Sequence, residues 1–142
     1  MSTSMANPFP AGDSDRHEIW NMLVRRDIEA FATNDWERHA ADFLVDGFFG
    51  IDAGRSGNPD SWSAAFPDLE TYRRDWSGFA AKSQGRLAPE ALREAHFAAT
   101  TLRDIDVRGD FAVAHKKFDG AVCYDDGERE SFDWQTDRKS VV

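Results

Sequence analysis

The spacing of the apolar residues changes once along the chain, close to Pro89, and this change constrains the fold more than any other sequence feature. Before it, apolar residues recur every three or four positions, which is typical of amphipathic helices. After it, β-forming residues dominate, and two glycine turns at 108–110 and 125–127 divide them into segments typical of antiparallel hairpins. Helices followed by an antiparallel sheet predict an α+β domain, with the helices packed on one face of the sheet.

Three helical regions are predicted in the first part of the chain. The first covers residues 13–33, and a second, shorter helix follows the Asn34-Asp35 pair, which can cap it. The third region covers residues 58–85 and restarts at Pro67, after which a regular apolar stripe continues. Between the second and third regions, residues 48–52 are predicted to form a short strand.

Three strand segments are predicted after Pro89, at residues 91–107, 111–124 and 128–136. In the first of them the alternation is imperfect, because Phe97 and Ile105 share a parity with the charged Arg93 and Arg103, so we expect a bend or bulge there. Long curved strands with helices across their concave face predict a cone-shaped roll that leaves room for a pocket.

Composition favours one acidic globular domain. The chain has 142 residues, which fits a single domain, and its 11 Phe, 5 Trp and 2 Tyr can fill a core. No run approaches the ~18–20 apolar residues of a membrane-spanning helix. The net charge of −9 repels phosphate backbones and anionic lipid. The single cysteine, Cys123, excludes an internal disulfide. These features predict a cytoplasmic protein that binds neither nucleic acid nor membranes and needs no metal or cofactor.

The order of the predicted elements resembles the nuclear transport factor two-like superfamily, in its SnoaL-like and ketosteroid isomerase-like branch. The resemblance covers residues 13–136 and rests on the long first helix, the Asn34-Asp35-Trp36 corner, the strand at 48–52, the helix at 69–80 and the glycine-turned strands. It implies a cone-shaped, cystatin-like α+β roll with a central cavity, frequently dimeric. Such domains include isomerases, dehydratases, cyclases and non-catalytic binding domains, so the fold alone selects no activity.

The two ends of the chain depart from this pattern. Residues 1–12 are small, proline-containing and aperiodic, and we expect a disordered leader. At the other end, the resemblance implies a final pair of strands that we expect to be missing, because the chain continues only as residues 137–142. These six residues can be back-translated as GATCGGAAGAGCGTCGTG, which matches a widely used sequencing adapter. Our hypothesis is that they form a non-native tail, and the encoding nucleotides test it.

Two acidic residues are candidate catalytic groups. Asp52 ends the predicted strand at the pocket mouth, where the resemblance implies a proton-moving base; alternatively, it caps the turn that follows. Asp27 lies on one helical line with Leu23 and Phe31 and so points toward the interior. The alternative for Asp27 is an ion pair with a neighbouring arginine or with a base from the sheet.

Two histidines could move a proton near neutral pH. His96 and His115 are predicted on neighbouring strands, and His115 is the catalytic candidate because it follows three apolar residues. The alternative for each is a packing residue. The side chains predicted to line the pocket are Trp20, Phe31, Phe49, Tyr72, Trp76, His96 and Trp134.

Two functions of different classes follow. The first is a cofactor-independent lyase or isomerase that abstracts a proton from a small hydrophobic or aromatic molecule, with Asp52 as base and His115 or Asp27 as its partner. The second is a non-catalytic ligand-binding or dimerisation domain. A homodimer is expected because a wide apolar sheet face is usually covered by a second copy. Proton transfer requires Asp52 to meet His115 or Asp27 around one apolar cavity.

Overall fold

A computed structural model describes the backbone of residues 5–141 and the side chains of residues 5–138. Within this range the helices are α1 (Ser14–Trp20), α2 (Asp27–Ala32), α3 (Leu69–Ser83) and α4 (Pro89–Ala99). The strands are β1 (Gly50–Asp52), β2 (Ser63–Phe66), β3 (Thr100–Arg108), β4 (Phe111–Phe118), β5 (Gly120–Cys123), β6 (Arg129–Phe132) and β7 (Gln135–Val141). No helix in the described range has the length and apolar character needed to cross a bilayer.

The first helix runs as predicted, from α1 through Asn21–Arg26 into α2. Its middle segment, Asn21–Arg26, is π-helical, which the spacing of apolar residues did not indicate. Ile19 and Val24 are buried on this helix. Together with residues of β3 and β4 they belong to one apolar cluster, called the main apolar cluster below. Burial of this face against the sheet holds the helix in place, as the α+β prediction requires.

The second and third helical regions are shorter than predicted. Trp36–Arg38 and Ala40–Asp42 are two 3₁₀ turns instead of one α-helix. The proline at position 59 starts another 3₁₀ turn, Pro59–Ser61, which leads into β2 and not into a helix. The helix predicted to begin again after Pro67 is confirmed as α3. Asp68 caps it by accepting a hydrogen bond from the backbone N–H of Thr71 (2.8 Å).

The strand predicted at 91–107 is wrong over its first half, because the chain there forms α4 and β3 begins only at Thr100. Pro89 occupies the first turn of α4, where its missing N–H costs nothing. Leu92 and Ala99 are buried on the face of α4 that packs on β5 and β6. The predicted bulge is confirmed, since the register of β3 against β4 shifts between Leu102 and Asp104.

In the described part of the chain all strand pairs are antiparallel and form three small sheets, with the orders β1-β2, β3-β4-β7 and β5-β6. Only Asp119 separates β4 from β5, and the N–H of Phe118 donates to the carbonyl of Trp134 (2.7 Å) where the second and third sheets meet. The described residues therefore confirm a mixed α+β fold.

The ends of the chain are more ordered than the sequence predicted. Within the leader, Met5 and Phe9 pack against the main apolar cluster, and Asn7 donates to the backbone carbonyl of His17 (2.9 Å). The prediction of a disordered leader is therefore wrong for residues 5–12, while residues 1–4 lie outside the described range. At the other end, β7 pairs with β4 through Val141. The origin of residues 137–142 stays a hypothesis for the nucleotides to test.

Two glycine substitutions should change stability in opposite directions. A Cβ at Gly120 would lie 2.9 Å from Ala99 Cβ and 3.1 Å from Ala99 Cα, so Gly120→Ala should destabilise the fold by roughly 1–3 kcal/mol. A Cβ at Gly78, inside α3, meets nothing within 4 Å, and Gly78→Ala should stabilise by roughly 0.5–1 kcal/mol. Urea denaturation measures both. A Gly120→Ala variant that is as stable as the wild type would contradict the α4–β5 packing, and a destabilised Gly78→Ala would contradict the open space at Gly78.

Candidate functional site

A cavity of about 1180 Å³ is lined by residues from α2, α3 and α4, from the β1–β2 hairpin, and from the strands that follow α4. This volume is sufficient for a small organic ligand. Its walls are rich in aromatic side chains, and its charged groups come from α2, α3, β1, β4, β6, β7 and the loops at the mouth. A polar group that faces such a cavity meets a ligand in an environment of low dielectric constant.

The structure brings most of the predicted lining residues together around this cavity: Phe31, Phe49, Tyr72, Trp76, His96 and Trp134. Trp20 is the exception. It is buried in the main apolar cluster, where its ring stacks on Phe97 at a centroid distance of 6.3 Å. The helical line of Trp20 differs from that of Phe31 because the π-helical segment lies between them.

Asp27, the first residue of α2, forms an ion pair with Lys116 of β4 across the cavity wall. Lys116 Nζ lies 2.8 Å from Asp27 Oδ2, and Lys116 is only 2% exposed. The second carboxylate oxygen, Oδ1, accepts a hydrogen bond from Trp76 Nε1 (2.9 Å). The Asp27 side chain is 21% exposed and lines the cavity. The inward direction predicted for Asp27 is confirmed, and so is the alternative of a base from the sheet.

The protonation states of this pair follow from its burial and its charges. Burial disfavours ionisation of Asp27, but the charges of Lys116, His39 and Arg138, together with the hydrogen bond from Lys116, outweigh burial and hold the Asp27 pKa far below its usual range. For Lys116, burial lowers the ammonium pKa, and the Asp27 carboxylate offsets part of that effect. The pair is therefore an ionised carboxylate with a buried ammonium as its partner.

The π-helical segment contributes a second acceptor for Lys116. Hydrogen bonds in a π-helix run from residue i to i+5, which widens the turn. The backbone carbonyl of Leu23, inside Asn21–Arg26, accepts a hydrogen bond from Lys116 Nζ at 2.5 Å. Because one carboxylate and one carbonyl hold the ammonium, its position in the wall is well defined.

His96 is a neutral, basic side chain in the lining of the cavity. It lies on α4, so its predicted strand position is wrong, and its ring contacts Phe31 and Phe132 at centroid distances of 4.9 and 5.1 Å. Its Nε2 atom is buried and has no hydrogen-bond partner among the described residues. Burial lowers the His96 pKa from 6.5 to about 4, so the imidazole is neutral at pH 7.

Tyr72 and Arg138 form another polar contact in the cavity. Arg138 Nη2 donates to the Tyr72 hydroxyl at 3.0 Å. Burial raises the pKa of Tyr72, which keeps the phenol protonated at neutral pH. Arg138 belongs to the hypothesised tail, and its charge contributes to the low pKa of Asp27, whereas the Asp27–Lys116 contact itself and His96 lie outside that segment.

Asp52 lies at the mouth of the cavity, exposed, and accepts a hydrogen bond from the backbone N–H of Gly54 (2.8 Å). It therefore caps the turn, as in the alternative stated above. Its apolar neighbour Ile51 is also exposed and does not shield the carboxylate from solvent. The position of Asp52 at the mouth is confirmed, and its contacts are those of the turn cap.

His115 faces away from the cavity. The inward-facing residues of β4 are Ala112, Ala114 and Lys116, so His115 falls on the opposite parity and pairs with Asp137 instead (2.9 Å). The expectation that His115 joins Asp52 or Asp27 around one cavity is wrong. The alternation of Ala112 and Ala114 with exposed residues is the sequence signal that could have placed Lys116 on the inner face of β4. The predictions above do not include Lys116.

Acid should destabilise the fold through His96. The unfolded imidazole binds a proton near pH 6.5 and the folded one near pH 4, so stability falls as the pH drops between these values. The expected loss is on the order of 3 kcal/mol. Denaturant titrations at several pH values measure it, and His96→Leu should have a shallower pH dependence. An unchanged slope in the variant would contradict this role.

Comparisons of the chain with models of protein families, with curated proteins and with solved structures found no match. In the part of the chain that the structure describes, His, Cys, Asp and Glu side chains nowhere form a group of three that could hold a metal ion.

Proposed function

We propose that the cavity binds a small hydrophobic or aromatic molecule, and that the protein is a cofactor-independent lyase or isomerase that abstracts a proton from it. The observation that carries this proposal is one aromatic cavity lined by both a neutral imidazole, His96, and a buried ion pair, Asp27–Lys116. The element order and the cavity support membership of the SnoaL-like branch. Homodimerisation and a cytoplasmic location stay predictions.

The proposed base is His96, in place of Asp52. Its Nε2 has no hydrogen-bond partner among the residues that the structure describes, and at pH 7 the ring is unprotonated and so able to accept a proton from carbon. The charge of Lys116 favours negative charge that develops on the substrate oxygen. The Asp27 carboxylate holds Lys116 in its charged form and has free lone pairs that can accept a hydrogen bond from a substrate hydroxyl.

Deuterium exchange tests this proposal without knowledge of the natural substrate. The apolar ketone 2-tetralone carries acidic C–H groups next to its carbonyl, and their loss in D₂O can be followed by proton NMR. We expect the protein to accelerate exchange and His96→Gln to slow it by about a hundredfold. The control His115→Gln, on the outer face of β4, should retain the wild-type rate. Exchange no faster than in buffer would contradict proton abstraction.

The alternative is a non-catalytic ligand-binding domain. The observation in its favour is that the charged groups already satisfy one another, since Asp27 pairs with Lys116 and Arg138 bonds to Tyr72. In this case 2-tetralone should quench tryptophan fluorescence on binding, because Trp76 lines the cavity, while exchange stays at the buffer rate.

A further inference from the structure

We propose that the β1–β2 hairpin is a lid that controls entry to the cavity, and that the ion pair between Arg55 and Asp133 is its latch. The lid is defined here as residues 50–66. Neither proton abstraction nor a particular ligand is required, so the lid goes beyond the proposed function. Three features of the hairpin support it: a loose attachment to the domain, internal hydrogen bonds, and an unusual backbone conformation at the tip.

The hairpin is attached loosely to the rest of the domain. Among the described strands, β1 and β2 pair only with each other. Residues 44–66 are all described, and none of them is buried. At the base of the hairpin, the rings of Phe48 and Phe66 contact the Tyr72 ring of α3 at centroid distances of 5.2 and 5.5 Å. A segment with so little buried surface can open locally while the core stays folded.

Hydrogen bonds within the hairpin hold it together as one unit. The Trp62 indole Nε1 donates to the carbonyl of Ser56 (2.7 Å), and the backbone N–H of Asp60 donates to Asn58 Oδ1 (3.1 Å). These bonds order the long loop between the two paired strands. The hairpin should therefore move as a rigid body about its base instead of unfolding.

The latch joins the tip of the hairpin to the β6–β7 loop. Arg55 Nη1 and Nη2 donate to the two carboxylate oxygens of Asp133 at 3.0 and 2.5 Å. Both residues line the cavity, and their side chains are 70% and 58% exposed. A bidentate pair fixes the orientation of the two groups, but an exposed ion pair adds little to stability in water. The latch therefore defines the closed position and can still open.

The backbone at the tip supports a functional role for Arg55. Its φ of 62° lies in the left-handed region, which non-glycine residues seldom adopt, and Gly54 before it has a φ of 58°. Such a conformation costs energy, persists where surrounding contacts hold it, and is common at ligand clamps and switch regions. The contact with Asp133 is the one that holds the Arg55 side chain here.

The lid also presents apolar surface to the cavity. Ile51 and Trp62 line the cavity, although 58% and 42% of their surface is exposed. A hydrophobic ligand beneath the lid would cover part of this surface, and the burial of apolar area would favour the closed position. Ligand binding and latch formation should therefore reinforce each other.

The reactivity of a cysteine inside the cavity measures lid opening without any ligand. The reporter is Thr100→Cys, at a cavity-lining position that is 7% exposed, in a chain whose exposed Cys123 is replaced by serine. Thr136→Cys, which also lines the cavity, is a second reporter in case the first disturbs the fold. Reaction with pyrene maleimide, a bulky apolar reagent, is followed by pyrene fluorescence.

We expect Arg55→Gln to accelerate labelling by about two- to fivefold, the range that corresponds to the loss of one exposed ion pair. Added salt should accelerate labelling when the latch is intact and leave the Arg55→Gln rate unchanged, because salt screens only the charged pair. The matched control is Arg108→Gln. It breaks a comparably exposed pair with Asp106 (3.1 Å) outside the lining and should leave the labelling rate unchanged.

Charge reversal separates the latch from a general structural change. Arg55→Asp places two carboxylates together at the mouth and should accelerate labelling at least as much as Arg55→Gln. The double variant Arg55→Asp/Asp133→Arg restores opposite charges at the two positions and should return labelling to the slower rate.

The outcomes distinguish the lid from the proposed function. Equal labelling rates for the intact, neutralised and reversed latches would overturn the lid and leave the binding cavity as it is. Acceleration by Arg55→Asp that the second reversal does not correct would also overturn it, because the effect would then not come from the pair. Absence of deuterium exchange in 2-tetralone would overturn proton abstraction without affecting the lid.

Discussion

Replacing Asp27 by leucine is expected to lower the free energy of unfolding by about 3–5 kcal/mol. The substitution leaves the Lys116 ammonium, 2% exposed, without its carboxylate partner. It also removes the acceptor of the Trp76 indole N–H. A buried charge or donor without a partner loses its hydration and gains nothing in return. Urea denaturation followed by circular dichroism measures the loss.

The double variant Asp27→Leu/Lys116→Met should recover most of that stability, because both charges are then replaced by apolar groups of similar size. The matched control is Asp104→Leu, which breaks the exposed pair between Asp104 and Lys117 (3.3 Å) and should cost far less. If Asp27→Leu and Asp104→Leu have equal effects, the Asp27–Lys116 pair is not a buried interaction.

The second large effect is expected for Phe97→Ala, at about 3–5 kcal/mol. Phe97 is 0% exposed, and its ring stacks on Trp20 where α4 meets the main apolar cluster. Truncation to alanine removes the ring and leaves a cavity that rigid neighbours on α1 and β3 cannot fill. Thermal or urea denaturation of the purified variant measures the change.

Phe79→Ala is the matched control for this substitution. Phe79 also lies on a helix but is 50% exposed at the cavity, so its truncation should change stability by a small fraction of the Phe97 effect. Because Phe79 lines the cavity, its truncation can still weaken binding of an aromatic probe. Similar stability losses for the two variants would contradict the burial of Phe97 in the core.

Local periodicity explains which parts of the fold could be predicted. The first helix and α3 have apolar residues at regular helical spacing, and the bulge in β3 was visible as a break in alternation. The β-forming residues and the glycine turn that follows them predict a strand over 91–107, although residues 91–99 belong to α4. Their alanine content and the proline at position 89 favour a helix instead.

The candidate site was harder to predict, because it depends on contacts between distant segments. The phase of the first helix identified Asp27, but Lys116 is 89 positions away in sequence. Successive side chains of β4 face opposite sides of the sheet, so only one of His115 and Lys116 can face inward. An error of one residue in the predicted alternation exchanges the two. For Asp52, the following Gly54 favoured a local turn over a buried base, and no helix or strand covers it.

The wide turn at Asn21–Arg26 determines the direction in which the side chains of each half of the first helix face. A π turn accommodates one residue more than an α turn, so the rod ahead of it is rotated by roughly 100° relative to an uninterrupted helix. Deleting a single amino acid from this stretch would convert the π turn into an α turn and leave Ile19 and the carboxylate at position 27 facing as they do, because a π turn absorbs one residue without changing the phase of its flanks. One continuous rod thus anchors the domain at its first half and presents a charged group to the ligand at its second, and its wide turn is where a change in length is tolerated.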